Sequence, residues 1–268
     1  MPGVCIIDRA GASAPWMAMV HGMSHDHRYF AAQTPVFEAR YRILLIDLPG
    51  HGGAADAPGP FGPEEFAGGV LSLLDASKAD DLRFWGTHTG AGVGLLLASR
   101  QPDRFHSLVL EGPVIPGAPP AYVNTRLQEV RRIAKARGLD AALEDWLEES
   151  AWFDVIREDP DRCRAAEHRE MVMDFAGGPW LGDDPARPLE FHLDVLSGLP
   201  MPVLLINGER DHPDFLAVSE RLGSLLPRAE RVIIPGAGGF PTWEFPDLVN
   251  RRVAEFLGPD PWPVGSRI

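Results

Sequence analysis

The sequence predicts an α/β protein, in which a mostly parallel sheet carries helices on both faces and an inserted helical cap. Short apolar runs alternate with segments of helical period, which is the pattern of a parallel sheet covered on both sides. The runs are nearly continuous in apolar residues, as expected for strands buried on both faces. In chain order they are WMAMV (16–20), RILLID (42–47), LRFWG (82–86), SLVLEG (107–112), PVLLIN (202–207) and RVIIPG (231–236).

Segments of helical spacing fill most intervals between these runs, and the last of them has the clearest apolar stripe. They cover approximately residues 27–40, 63–79, 89–101, 213–226 and 243–257. The C-terminal GPDPWPVGSRI holds three prolines and no periodicity, so we expect a surface tail there.

One interval between two predicted strands contains no convincing strand of its own. Residues 114–198 begin in a proline-rich linker and then show helical spacing, followed by an irregular loop at FAGGPWLGDDPARP. We therefore predict a core formed by residues 1–113 and 199–268, with residues 114–198 as the cap. Most aromatic side chains of the cap should pack it against the core. Those predicted to line a substrate pocket are Trp146, Trp152, Phe153 and Trp180.

The composition excludes several classes of partner. The 268 residues include 25 basic and 38 acidic ones, and the formal charge of −13 would repel nucleic acids and anionic membranes. Cys5 and Cys163 are too few for a disulfide framework, and the N-terminus lacks the features of a signal peptide. No apolar run approaches the roughly 20 residues that span a bilayer. We expect a cytoplasmic protein whose partner is a small, apolar or neutral molecule. The sequence does not indicate an oligomeric state.

The stretch GTHTGAG, residues 86–92, has the spacing of a strained turn from a strand into a helix. Gly86, Gly90 and Gly92 remove the side chains that would crowd such a turn, and His88 then lies at its tip. The helix that follows directs its first N–H groups toward the tip, which favours developing negative charge there. The stretch lacks the G-x-G-x-x-G spacing of a dinucleotide site, so no cofactor is expected.

Together with four other landmarks, this stretch makes the chain resemble the α/β-hydrolase superfamily with a helical cap, over about residues 15–257. The landmarks are VHGMSHDHRYF (20–30), LIDLPGHGGA (45–54), INGERD (206–211) and IPGAGGFPTWEFPD (234–247). The resemblance implies an oxyanion hole formed by the backbone N–H groups of Met23 and Thr89. It also places the acid of a catalytic triad at Asp211, with Glu111 as a second candidate.

The sequence departs from the superfamily pattern at two positions of the triad. His88 stands where a nucleophilic serine, cysteine or aspartate is expected, and Gly239 stands where the pattern has its histidine. A serine relay cannot be assembled from these residues. Because an imidazole reaches farther than a hydroxymethyl group, and Gly239 leaves space, we hypothesise that His88 leans toward Asp211. The resulting dyad would act as base or nucleophile, with the pKa of His88 raised by the carboxylate.

Other polar residues near the motifs are candidates for the same chemistry. Ser24 is the candidate hydroxyl for the role of the missing nucleophile, and His21 is a candidate for an oxyanion-loop or structural role. His51 and His212 are expected to serve turns or the surface. No metal-binding spacing is found among the nine histidines and the cysteines, so no metal is expected.

Three readings of the function follow from these residues. The first is an enzyme acting on a small ester, thioester, lactone or β-dicarbonyl, or a cofactor-free lyase, isomerase or oxygenase that removes a proton beside a carbonyl. The second is a catalytically silent protein that binds a ligand or another protein. The third is a hydrolase inactivated or engineered at residue 88 or 239.

Overall fold

A computed structural model describes residues 3–183 and 186–258 and contains a seven-stranded sheet. The strand order is β1-β3-β2-β4-β5-β6-β7, in which β1 pairs antiparallel with β3 and every other pair is parallel. The strands are β1 (Val4–Ile7), β2 (Trp16–Val20), β3 (Arg42–Ile46), β4 (Leu82–Thr87), β5 (Phe105–Glu111), β6 (Val203–Gly208) and β7 (Ala229–Ile234). The predicted fold class is confirmed, and the six predicted runs each contain a strand; β1 is an additional edge strand.

Helices of the core occupy the intervals between the strands. They are α1 (Thr34–Phe37), α2 (Pro63–Ala76) and α3 (Thr89–Arg100) before the cap, and α9 (Pro213–Leu225), α10 (Pro241–Glu244) and α11 (Pro246–Leu257) after it. Two predicted helices are wrong in their extent. Residues 27–40 form a 3-10 turn and then α1, because Pro35 has no N–H for a continuous helix. Residues 243–257 are divided at Phe245, which precedes Pro246 and is not helical.

The sheet separates two apolar layers, and the alternation along β2 shows how the sequence builds them. Met17 and Met19 point into one layer, whereas Ala18 and Val20 point into the other. The first layer continues without interruption into the segment between β5 and β6. This shared core holds that segment over the carboxyl ends of the central strands, where the site described below lies.

Helices dominate the segment between β5 and β6. They are α4 (Ala121–Arg137), α5 (Leu139–Glu149), α6 (Asp154–Glu158), α7 (Ala165–Met173) and α8 (Gly178–Leu181). Gly138, with φ +93°, turns the chain between α4 and α5. The loop predicted at residues 175–188 is wrong in part, since it contains α8. The exact cap boundaries remain a prediction, and we use the word cap for residues 114–198 below.

Among residues 3–183 and 186–258, no helix is both long and apolar enough to cross a bilayer. Residues 259–268 of the predicted C-terminal tail lie outside the described part of the chain.

Candidate active site

His88 lies at the junction of β4 and α3, as the glycine spacing predicts. Its φ of 46° and ψ of −103° place it outside the favoured regions of the backbone, and its N–H donates to the Glu111 carbonyl over 2.8 Å. A Cβ at Gly90 would overlap the Val20 carbonyl. The sharp turn therefore depends on the close approach of α3 to β2, which only glycine permits at residue 90.

The His88 ring is enclosed and only 8% of the residue is exposed. Its Nε2 lies 2.8 Å from the Gly239 carbonyl, and its ring packs edge-on against Phe215 and Phe240. Burial lowers the pKa of His88 to about 4, so the imidazole is neutral at pH 7. Because Nε2 faces a carbonyl, it carries the hydrogen and donates it, which leaves the lone pair on Nδ1. Nδ1 makes no hydrogen bond of normal geometry in the described chain, although the Gly112 backbone is close enough to the ring to oppose the lowering of its pKa.

The expected His88–Asp211 dyad is wrong. Asp211 accepts hydrogen bonds from Asn207 Nδ2 at 2.9 Å and from the His212 N–H at 2.8 Å, and neither His88 nitrogen bonds to it. Burial raises the pKa of Asp211 to about 7 and lowers that of His88, the opposite of a charged pair. Each of the two groups has backbone or amide partners of its own.

The space that Gly239 was expected to leave open is occupied by the cap. A Cβ at residue 239 would lie 2.5 Å from Trp152 Cβ, 3.0 Å from its carbonyl oxygen and 3.1 Å from its Cα. These atoms belong to or adjoin the backbone, so no change of rotamer would relieve the contact. The missing side chain thus lets the cap approach the core, rather than giving His88 room to reach an acid.

Glu111, the second candidate acid, is fully buried and is also unavailable to His88. Its Oε2 accepts from Tyr29 Oη at 2.9 Å and Thr87 Oγ1 at 2.7 Å, and its Oε1 accepts from the Thr242 N–H at 2.6 Å. Burial raises its pKa, although the three donors oppose that shift. The carboxyl therefore joins β4, β5, the 3-10 turn and α10 beneath the site.

Glu111→Gln is expected to lower the free energy of unfolding by about 1 to 3 kcal/mol, because the new amide N–H₂ would face a donor and leave it unsatisfied. Urea unfolding would measure the loss, with the exposed Glu220→Gln as the matched control. An unchanged midpoint for Glu111→Gln would show that the three hydrogen bonds are not needed.

Two backbone N–H groups lie where the resemblance expects oxyanion donors. Those of Met23 and Thr89 have no hydrogen-bond partner in the described chain. Both residues line a cavity of about 50 Å³ beside His88. The remaining lining is apolar and comprises Val114, Val123, Leu127, Trp146, Trp152, Phe215 and Phe240. Of the four predicted pocket residues, Trp146 and Trp152 line this cavity, whereas Phe153 and Trp180 pack behind it.

The Met23 carbonyl is tied to the cap through two hydrogen-bonded chains. Ser24 Oγ donates to it at 2.6 Å and accepts from Trp146 Nε1 at 2.8 Å. His25 Nδ1 donates to it at 2.9 Å, and His25 Nε2 lies 2.9 Å from His168 Nε2. Ser24 is therefore committed to this arrangement and does not replace the missing nucleophile. Both cap side chains fix the loop that carries Met23.

His21, His51 and His212 contact backbone groups or another side chain outside the cavity beside His88. His21 Nε2 accepts from the Leu48 N–H at 3.0 Å, and its Nδ1 bonds the Gly22 carbonyl at 2.7 Å. His51 Nδ1 bonds the Pro49 carbonyl at 3.1 Å, and His212 stacks on Tyr122. Within the described residues, no group of three or more His, Cys, Asp or Glu side chains could hold a metal ion.

Sequence reasoning missed two buried titratable residues next to the site, Glu244 and His168. Glu244 accepts from the N–H groups of Gly238 at 2.5 Å and Phe240 at 3.3 Å, so it shapes the loop whose carbonyl holds His88. Burial raises the pKa of Glu244 to about 8 and lowers that of His168 to about 3. Each lies in a short helix, His168 among charged residues and Glu244 after a tryptophan, and nothing in its local pattern distinguishes it from a surface residue.

Comparison with known proteins places the chain in a family. A family model described as alpha/beta hydrolase fold matches residues 15–246. The chain belongs to this family. The predicted superfamily is thereby confirmed.

Relatives of this α/β hydrolase match most of its length. A 2-hydroxy-6-oxononadienedioate/2-hydroxy-6-oxononatrienedioate hydrolase of Cupriavidus pinatubonensis is 26% identical over 267 residues, covering 92% of this chain and 88% of that protein. A 2-succinyl-6-hydroxy-2,4-cyclohexadiene-1-carboxylate synthase of Salmonella arizonae is 27% identical over 213 residues, covering 74% and 78%. These similarities confirm the prediction of a hydrolase-like protein and leave its substrate open.

Solved structures show the same fold at lower identity. MenH from S. aureus superposes with a TM-score of 0.81 at 19% identity, covering 96% of this chain and 98% of the other. The enol-lactonase from Burkholderia xenovorans gives a TM-score of 0.77 at 23% identity, covering 95% of each chain.

Proposed function

We propose that the chain is a hydrolase-like enzyme acting on a small, largely apolar carbonyl compound. The observation that carries the proposal is the pair of unpartnered N–H groups of Met23 and Thr89 at an apolar cavity. A carbonyl oxygen bound between them would be polarised, and the low dielectric of the cavity would strengthen both hydrogen bonds. The relative named as a hydrolase of an oxo-dioate supports carbonyl chemistry.

His88 is the residue we propose for proton transfer or attack. Of the described side chains that line the cavity, it is the one that titrates, and its low pKa keeps it neutral with a lone pair on Nδ1. The ring edge that carries this nitrogen packs against Gly112, where an added Cβ would lie 2.5 Å from Cε1 and 2.8 Å from Nδ1. The ring must therefore turn about its Cβ–Cγ bond before the lone pair faces a ligand. Hydrolysis and removal of a proton beside the carbonyl both fit this arrangement.

A second candidate function is binding without turnover, and specific contacts favour it. The bond from His88 Nε2 to the Gly239 carbonyl restrains the ring, and Trp152 fills the position of the triad histidine. Among the described residues, no carboxylate is hydrogen-bonded to the His88 ring, and Asp211 and Glu111 are bonded to other groups. A protein that retained the amide pair and lost proton transfer would still recognise a carbonyl oxygen.

Assays of aryl and alkyl esters, lactones and β-diketones would separate the two candidates. If His88 acts as a base, His88→Ala is expected to lower kcat/KM about 100-fold or more for the compound turned over. The exposed His106→Ala is the matched control and should leave kcat/KM unchanged. Turnover that survives His88→Ala contradicts the role of His88, whereas saturable binding without turnover of any compound supports the second candidate.

A further inference from the structure

A larger groove adjoins the cavity beside His88 and extends away from it between α4 and the core. Its volume is about 620 Å³. It shares five lining residues with the cavity, namely Met23, Thr89, Val114, Val123 and Leu127. The groove and the cavity are therefore continuous at the two amide donors, and the groove is large enough for a ligand longer than the small cavity admits.

One wall of this groove is polar along a single face of α4. Asn124, Gln128 and Arg131 follow one another at spacings of four and three residues, which places them on the same side of the helix. The facing wall includes Pro60, Phe61 and other apolar side chains of the core. A ligand in the groove would meet apolar surface on one side. On the other it would meet hydrogen-bonding groups, then Arg131, and then Lys135, which is paired with the Asp183 carboxylate that also lines the groove.

Arg131 is the cation of this wall that has no anionic partner in the described chain. Three other cations of α4 are held in ion pairs. Arg126 pairs with Asp145 at 2.5 Å, Arg132 pairs with Glu129 at 2.7 Å and Lys135 pairs with Asp183. The chain has a net charge of −13, yet this guanidinium is not paired with a carboxylate of the described chain. It is therefore placed to bind a carboxylate of a ligand.

We propose that the groove binds the remainder of an extended carbonyl compound whose far end carries a carboxylate, which pairs with Arg131. Leu127 lines both spaces, and Arg131 lies one helical turn farther along α4. One turn advances roughly 6 Å, and the advance from Val123 is roughly 12 Å, so a chain of several carbon atoms separates the carbonyl from the carboxylate. This inference rests on the proposed function, because it takes the amide pair as the site of the carbonyl.

Binding of two matched ketones to the full chain, measured by calorimetry, tests this proposal. 7-Oxooctanoate carries a carboxylate where 2-octanone carries a methyl group. We expect the wild-type protein to bind 7-oxooctanoate roughly five- to tenfold more tightly, because a guanidinium pairs with a carboxylate through two parallel hydrogen bonds. Arg131→Gln is expected to abolish this preference. Arg132→Gln, a matched change on the same helix, is expected to preserve it.

The outcomes distinguish this inference from the proposed function. Equal affinities of the two ketones for the wild-type protein, or a preference that survives Arg131→Gln, would overturn the carboxylate site alone. Octanoate, which lacks the ketone, is expected to bind more weakly than 7-oxooctanoate. If octanoate binds as tightly, the amide pair does not recognise the carbonyl and the proposed function fails, and absence of binding by all three compounds overturns both proposals.

Discussion

Gly239→His is expected to destabilise the protein by about 3 kcal/mol, because overpacking at a backbone contact costs about that much. The new Cβ would lie 2.5 Å from Trp152 Cβ, and the imidazole beyond it would need still more space. Relief requires the cap backbone around Trp152 to move away from the core. Denaturant unfolding would measure the loss of stability. A change in intrinsic tryptophan fluorescence, to which the buried Trp146, Trp152 and Trp180 contribute, would report displacement of the cap.

Gly198→His provides the matched control for this change. A Cβ at residue 198 meets nothing within 4 Å, and the residue is exposed, so its unfolding midpoint should stay close to that of the wild type. The double variant His88→Ser/Gly239→His should remain unlabelled by a serine-directed phosphonate, because the displaced imidazole would not reach the serine. Labelling of the double variant, together with wild-type stability, would show that the cap can move away from residue 239 at little cost in free energy.

The free energy of unfolding is expected to fall as pH rises from 7 to 8, and Glu244→Gln should remove most of that fall. Burial raises the folded-state pKa of Glu244 to about 8 from an ordinary 4.5. The folded state therefore binds the proton more tightly, and the stability this group contributes below pH 4.5 is lost as pH rises toward 8. The slope for one such group is about 1.4 kcal/mol per pH unit.

Below pH 6.5 the buried His88 gives the opposite slope. Its folded-state pKa is lowered to about 4, so the unfolded state takes up the proton first and stability falls as pH drops from 6.5 to 4.

Chemical denaturation of wild type and Glu244→Gln at several pH values measures how much of the pH dependence comes from the Glu244 carboxyl. The exposed Glu220→Gln serves as its control. Parallel pH profiles for wild type and Glu244→Gln would contradict the assignment.

The sequence was sufficient for β2 to β7, because the central strands are buried on both faces and form continuous apolar runs. It did not reveal the edge strand β1, which is mostly exposed or half-buried and lacks such a run. It also located His88, because the steric demand of the turn is met by glycines close to it in the chain. Helix ends were predicted less well at residues 27–40, where the effect of Pro35 on the backbone outweighed the apolar spacing.

The hydrogen-bond partner of the His88 ring could not be predicted from the residues near it in the sequence. Whether its ring faces Asp211 or the Gly239 carbonyl depends on how closely Trp152 approaches, and that contact joins residues 87 positions apart in the chain. The position of Trp152 in turn depends on packing across the whole cap. A glycine in the sequence shows only that a side chain is missing, and not which neighbouring group has moved into its place.

The two hydrogen-bonded chains that join Trp146 and His168 to the Met23 carbonyl bear on the route by which a ligand arrives. Movement of the cap away from the core would break the Trp146–Ser24 and His168–His25 hydrogen bonds. The loop that carries the Met23 N–H would then lose its support before a ligand could bind to it. A molecule that slides in alongside α4 would instead reach a donor already in position. The structure therefore favours entry of the ligand from the side, while the cap stays in contact with the core.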